Sequence, residues 1–299
     1  MFSNIRFYRL HSDWPDDEAA LSDKLLSSAA FTPCGALTER SMGFEPPIEG
    51  AGDLLSRTVA GCDLLQLRIQ SRVLPTAAIN ESLEERIASF TRRTGLAPNR
   101  KEKRDLKDEV FVQLLPQALL KSDRIRAFYI KRENVLAVGS ASATVAEDFL
   151  SVLRDALGSV QAIPLEFKRS TGGLLASIFL GQGPEGFGLG RECRMKDTSD
   201  PKASVNWLDM DLGVTSVRNH VKNGLVIDRL GMQFDTVLRL TLDEELIVRK
   251  LRVEGVEALE EIEDEEDPLA RFDAEFAMES GLVTRLIQAL KKELGGFNS

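Results

Sequence analysis

Three strand-like runs joined by short turns, between residues 224 and 253, constrain the fold of this chain most strongly. The segments "GLVIDRLGMQF" and "TVLRLTLDEELIVRKLRV" are predicted to form three strands, with Asp243, Glu244 and Glu245 near the second turn. Short turns join antiparallel neighbours, because a parallel return needs a long crossover. The chain is therefore predicted to contain an antiparallel sheet.

Strands and helices are mixed along the rest of the sequence. Residues 4–10 are predicted to form a strand, and residues 16–31 a helix whose first turn is acidic. Residues 54–74 are typical of a β-hairpin. A helix capped by Ser142 and ended by Gly158 is predicted between two later strands. This mixture predicts an α+β subunit with antiparallel sheets.

A protruding helical hairpin is predicted in the first half of the chain. The first helix follows Pro75 and stops at Gly95. Asn99 is suited to cap a second helix, which continues to about Leu120 and is kinked or ended by Pro116.

Length and breaker residues predict several lobes. A chain of 299 residues that is 43% hydrophobic lies well inside the globular range. The predicted boundaries are residues 1–75 for an N-terminal α+β lobe, 76–121 for the basic helical hairpin, 122–168 for a central α/β lobe, 169–232 for a tip or finger region, and 233–299 for β-hairpins, an acidic loop and a terminal helix.

Charge is unevenly distributed along this chain, whose formal net charge is −9. Residues 254–267 carry nine acidic residues and no basic one, so this segment accounts for the whole net charge. Residues 86–107, within the predicted helical hairpin, are basic instead, with eight basic residues against Glu102 and Asp105. The eight basic residues are Arg86, Arg92, Arg93, Arg100, Lys101, Lys103, Arg104 and Lys107.

The basic hairpin predicts a contact with nucleic acid. On a helix that starts near Arg100, positions 100, 103, 104 and 107 lie on one side. Clustered Lys and Arg bind phosphates without sequence preference by displacing counterions. No aromatic residue lies between Arg100 and Lys107, so base stacking is not indicated and duplex DNA is predicted, with single-stranded DNA kept as a second ligand. A merely solvated helical face is the alternative. Secondary candidates are Arg68, Arg72, Lys121, Arg124 and Arg126.

The sequence predicts no catalytic residue, metal site or cofactor. Only two histidines are present, His11 and His220, and they lie far apart in the sequence. The three cysteines are an odd number without a C-x-x-C pair; Cys34 and Cys62 are expected in exposed turns. With no signal peptide and no apolar run near membrane-spanning length, a cytoplasmic protein is expected.

Four segments resemble the bacterial recombination-associated RdgC family. They are "AAFTPCGALTERSMGFEPP" (29–47), "LKDEVFVQLLPQAL" (106–119), "ASATVAEDFLSVLRDALGS" (141–159) and "RFDAEF" (271–276), and the match is collinear from Phe7 to about Gly295.

The resemblance implies a non-enzymatic function. It implies a homodimer closed into a ring by two contacts, with a positive hole that encircles duplex DNA, and restraint of RecA-dependent recombination at the nucleoid. Leu119 stands where the family can carry an aromatic residue at one dimer contact. Asp209 and Met210 stand where it can carry a polar or basic pair at the other, tip contact. Whether RecA is contacted directly is left open.

Two other functions remain as alternatives. One is a metal-dependent nuclease that uses Asp264, Glu265 and Glu266 in the acidic 254–267 segment. The other is an adaptor that binds RecA and acts without DNA.

Overall fold

The computed structural model describes residues 2–50, 52–200, 202–255, 262 and 265–298. The strands are β1 (Asn4–Leu10), β2 (Arg40–Glu45), β3 (Ser56–Val59), β4 (Cys62–Val73), β5 (Leu119–Ile130), β6 (Val135–Val138), β7 (Ala162–Pro164), β8 (Phe187–Asp197), β9 (Ser204–Trp207), β10 (Leu225–Phe234), β11 (Leu238–Asp243) and β12 (Val248–Val253). The helices are α1 (Glu18–Ala29), α2 (Thr76–Thr94), α3 (Arg100–Leu114), α4 (Ala143–Leu157), α5 (Thr171–Phe179), α6 (Thr215–Lys222) and α7 (Pro268–Glu293).

The strands join in one large antiparallel sheet, so the chain is α+β as predicted. Its order is β2-β4-β5-β6-β1-β12-β11-β10-β8-β9, with β3 added to β4 and β7 added to β1. The three consecutive strands predicted from residues 224–253 are β10, β11 and β12, which pair in sequence order. The lobe boundaries stay a prediction.

The first strand connects the two halves of the sheet. Asn4 and Ile5 pair with β12, and the following residues from Arg6 to Arg9 pair with β6. One strand therefore pairs with the C-terminal β8–β12 half through its start and with the N-terminal half through its remainder.

Two hydrophobic cores lie on opposite faces of the sheet. Ile5 and Phe7 belong to the first core, which α5 and α7 cover. Tyr8 and Leu10 point to the other face of the sheet and belong to the second core, which α1 and α4 cover. The period of two along a strand thus places consecutive β1 residues in different cores.

Several predicted boundaries are confirmed and others need correction. The strand at 4–10, the helix capped by Ser142 and the helix stop at Gly95 all occur as predicted. The second hairpin helix ends earlier than residue 120, because α3 stops at Leu114 and a 3₁₀ turn containing Pro116 follows. Among the described residues, no helix is both long and apolar enough to cross a bilayer.

Gly43 lies on the edge strand β2, at the point where residues 30–32 run alongside it. A Cβ atom at this position would stand 2.4 Å from Phe31 Cα and 2.5 Å from Phe31 N. Since both neighbours are backbone atoms, they cannot rotate away. Residue 43 must therefore be glycine for residues 30–32 to lie along β2.

Gly43→Ala is expected to lower the free energy of unfolding by about 1–3 kcal/mol, the usual cost of overpacking. The measurement is the midpoint of urea denaturation followed by circular dichroism. Gly281→Ala is the control, since Gly281 is exposed on α7 and its Cβ would meet no atom within 4 Å. That change should instead stabilise by up to about 1 kcal/mol through helix propensity. Equal midpoints for Gly43→Ala and the wild type would contradict the steric argument.

Candidate nucleic-acid interface

Helices α2 and α3 are fixed at their shared loop by local hydrogen bonds. Gly95 ends α2 in the left-handed region, with φ of 74°, and its N–H donates to Thr91 O. Asn99 Oδ1 accepts from the backbone N–H groups of Lys101 and Glu102, at 2.9 and 3.0 Å. Glu102 Oε2 accepts in return from Asn99 N at 2.8 Å, which completes a capping box. The predicted cap at Asn99 is confirmed.

The two helices lie against each other. Arg86 Nη2 on α2 donates a hydrogen bond to Gln113 Oε1 on α3. Only Ile79 and Leu83 of α2 and Val110 of α3 are buried, so this pair has little core of its own.

Four basic residues of α3 share a groove with α2. The groove has a volume of about 590 Å³, and it is lined on the α2 side by Asn80, Leu83, Glu84 and Ile87. The α3 side is lined by Arg100, Lys103, Arg104 and Lys107. The predicted alignment of these four residues on one side of the helix is confirmed. They face the groove rather than pointing away from α2.

All eight predicted basic residues are exposed. None of them lies within 4.0 Å of a carboxylate of any residue that the structure describes. Cations elsewhere differ: Arg194 pairs with Asp228, and Lys196 pairs with the same carboxylate. The two helices also carry seven carboxylates, and Glu84 lines the same groove, so the pair as a whole is close to neutral. The positive charge is concentrated in residues 92–104, where six basic residues stand against Glu102 alone.

The secondary candidates on the sheet are engaged within the chain. Arg68 and Arg124 both bind the carboxylate of Glu45, and Arg124 Nε lies 2.6 Å from its Oε1. Lys121 pairs with Asp123 at 2.9 Å. These cations are therefore partly neutralised before any ligand arrives.

Arg72 has a structural role that its sequence context did not reveal. Its guanidinium donates to the carbonyl oxygens of Gly35, Leu115 and Ala118, at 3.0 to 3.3 Å. It thereby ties the end of α3 to the sheet. Arg126 is also engaged: it donates to Gln66 Oε1 at 2.9 Å, and burial followed by the Arg124 charge lowers its pKa.

An exposed apolar patch lies where β4 and β5 meet the helix pair. Leu119 is 79% exposed, and its cross-strand partner Val73 and its neighbour Leu120 are exposed as well. The sequence had singled out Leu119 alone, because the pairing with Val73 follows only from the register of two strands. Such adjacent exposed apolar side chains are typical of a contact surface.

The predicted tip residues lie beside β9, at the other end of the sheet order. Asp209 adopts a left-handed conformation with φ of 48°, and its Oδ1 lies 2.7 Å from Arg191 Nε. Met210 N donates to Arg191 O at 2.9 Å. These two contacts with Arg191 fix the conformation of the turn. Leu208, the residue before Asp209, is 71% exposed.

Two of the three residues considered for a nuclease lie within the described part of the chain. Asp264 lies outside the described residues, while Glu265 and Glu266 are exposed. Within the described part of the chain, no group of three or more His, Cys, Asp or Glu side chains could hold a metal ion. His220 lies against Trp207, with ring centroids 5.1 Å apart.

The expectation of exposed cysteines is wrong. Cys34, Cys62 and Cys193 are all buried as free thiols. Cys62 is the first inward residue of β4 rather than part of the turn, and Cys34 Sγ donates to Gln70 O at 3.3 Å. Burial raises the pKa of the Cys193 thiol to about 12, so it is protonated at neutral pH.

Comparison with known proteins matches nearly the whole chain to one family. The family model described as "Putative exonuclease, RdgC" matches residues 1–297. A protein of Shewanella oneidensis named Recombination-associated protein RdgC is 31% identical over 297 residues, covering 99% of this chain and 97% of that protein. A protein of the same name from Stenotrophomonas maltophilia is 32% identical over 296 residues, covering 97% of each.

Proposed function

The chain belongs to the RdgC family of recombination-associated proteins, and we propose that it binds duplex DNA without sequence preference through α2 and α3. The observation that carries this proposal is the cluster of eight exposed basic residues without ion pairs in the described part of the chain. A phosphate backbone would supply the ion-pair partners that these side chains do not have within the described part of the chain.

The geometry of α3 fits a phosphate strand. From Arg100 to Lys107 the helix rises by about 10 Å, at 1.5 Å per residue. Phosphates of one strand follow each other every 3.4 Å along a duplex, so the row can face about three of them. The groove lacks aromatic side chains. Single-stranded DNA would therefore bind through its backbone alone and more weakly.

We further propose that two copies close into a ring around DNA, with α2 and α3 as helical hairpins that contact it. The Leu119 patch and the Leu208–Met210 turn lie toward opposite ends of the sheet order, which is what a ring with two different contacts needs. A ring occupying DNA would obstruct the RecA filament and thus restrain recombination.

Reversing the charges of Arg100, Lys101, Lys103 and Arg104 to Glu should weaken duplex binding strongly. For each phosphate that the variant no longer neutralises, the slope of log affinity against log salt should become shallower by about 0.9. The measurement is fluorescence anisotropy of a labelled duplex at several salt concentrations, with circular dichroism to confirm that the variant is folded.

The matched control changes Lys24, Arg132, Lys222 and Lys292 to Glu, which are exposed and lie outside α2 and α3. It alters the net charge equally and should keep the slope. Equal weakening in both variants would show that net charge, rather than this surface, governs binding. Inhibition of RecA strand exchange that survives the α3 reversal would favour the RecA-binding adaptor instead.

Leu119→Asp should weaken self-association, because a charge would replace the most exposed apolar side chain of the patch. We expect the dimer dissociation constant to rise at least tenfold in sedimentation equilibrium. Leu26→Asp is the control, since Leu26 is an exposed leucine on α1, which contributes no residue to this patch. An unchanged dissociation constant for Leu119→Asp would remove the patch from the dimer contact.

The family-model description makes nuclease activity the second candidate. The proposed DNA-binding function predicts that protein and magnesium leave supercoiled and linear plasmid intact over hours at micromolar concentrations. Agarose gels with a known nuclease as positive control check this. Cleavage that Glu265→Gln and Glu266→Gln together abolish would establish the nuclease.

A further inference from the structure

Arg229 lies half-buried on the polar face of the C-terminal half of the sheet. Its neighbours Leu230 and Met232 on β10 lie in the first core, so Arg229 lies on the face turned away from that core. Its Nε is buried without a hydrogen-bond partner. No ion pair or hydrogen bond joins its guanidinium to any residue within the described ranges.

The residue directly opposite Arg229 on β8 carries the same charge. Arg194 is its cross-strand partner, and like charges in directly opposite positions repel. Arg194 is neutralised by Asp228, whose oxygens lie 2.9 and 2.8 Å from Arg194 Nε. Lys196 Nζ lies 2.8 Å from the same carboxylate. Asp228 is therefore already shared by two cations.

Asp243 is the residue opposite Arg229 on β11, and its hydrogen bonds and ion pair are made with other residues. Asp243 Oδ1 accepts from the backbone N–H groups of Ile247 and Glu245, at 2.8 and 3.2 Å. Its Oδ2 lies 3.5 Å from Arg249 Nη2. Burial raises the pKa of Asp243, so this buried carboxylate is itself poorly stabilised as an anion.

Arg249 on β12 is a second half-buried arginine with few partners. Its Nε is also buried without a partner, and the 3.5 Å contact with Asp243 is the one ion pair it makes among the described residues. Burial, then the Arg194 charge, then the Arg249 charge lower the pKa of Arg229. The Asp243 and Asp228 charges act in the opposite direction. What both guanidinium groups lack among the described residues is a hydrogen-bond acceptor for the buried Nε.

We propose that Arg229 and Arg249 form an oxyanion site that binds a phosphate group. Guanidinium N–H donors match phosphate oxygens in geometry and bind them with charge-assisted hydrogen bonds. Both side chains are partly exposed, so an anion can reach them from solvent. The phosphate comes either from a DNA backbone or from a free phosphate compound. The site lies on the sheet and does not rest on the proposed role of α2 and α3.

Arg229→Gln tests the proposal with inorganic phosphate as the probe. In chloride buffer the variant should melt at a higher temperature than the wild type, because it removes a charge that burial and, to a smaller extent, the Arg194 charge disfavour. Replacing chloride by phosphate at fixed ionic strength should raise the melting temperature of the wild type but not of the variant. A purely structural arginine would instead lower the melting temperature in both buffers, and that result would overturn the proposal.

Arg252→Gln is the matched control, since Arg252 is an exposed arginine on the same strand as Arg249. It should keep the phosphate response. If this control abolishes the response as fully as Arg229→Gln does, or if phosphate does not stabilise the wild type, the proposal is wrong.

DNA titrations identify the source of the phosphate. If a DNA phosphate occupies the site, Arg229→Gln should reduce the log–log salt slope by about 0.9. An unchanged slope in a variant that no longer responds to phosphate assigns the site to a free phosphate compound. The α3 charge-reversal variant should keep the phosphate response, so failure of the proposed DNA contact would not be mistaken for failure of this site.

Discussion

The pairing of β1 with both β6 and β12 is the constraint on which the rest of the structure depends. Without it, the N-terminal strands and the C-terminal strands would share no hydrogen-bond ladder. β1 also contributes to both cores, through Ile5 on one face and Tyr8 on the other. The positions of the helix pair and the tip turn are therefore related through a continuous sheet. A linker would leave their separation variable, and the ring proposed above would need it constant.

The basic side chains of the sheet and those of α2 and α3 differ in whether they form ion pairs. On the sheet most basic side chains form an ion pair with a carboxylate; Glu45, for example, pairs with both Arg68 and Arg124. On α2 and α3 no cation lies within 4.0 Å of a carboxylate among the described residues, although seven carboxylates lie on the same helices, and few buried side chains hold the helices together. The Asn99 capping box and the Arg72 hydrogen bonds fix both ends of α3. Local stability is accordingly expected to be lowest where the proposed contact lies.

The features predicted correctly from sequence are those that depend on nearby residues. Asn99 and Gly95 signal the helix ends through bonds to positions within four residues, and the spacing of Arg100, Lys103, Arg104 and Lys107 needs only the helical period.

Non-local pairing explains what the sequence did not reveal. Arg194 and Arg229 are 35 positions apart, and only the β8–β10 register with its bulge brings them opposite each other. The burial of Cys62 follows from cores on both faces of β4, since all residues from 62 to 67 are buried and alternate between the two faces. Leu119 was singled out through a family resemblance, whereas its partner Val73 needed the register.

The two outer edges of the sheet differ in a way that affects how copies of the chain can associate. Residues 30–32 run along β2, with Phe31 N donating to Phe44 O, so that edge offers little to an added strand. Within the described residues, no strand pairs with the outer side of β9. The β9 edge is thus available for strand addition. An antiparallel β9–β9 contact would use the β9 edges of both copies at once, so that contact by itself joins two copies instead of extending into a fibre.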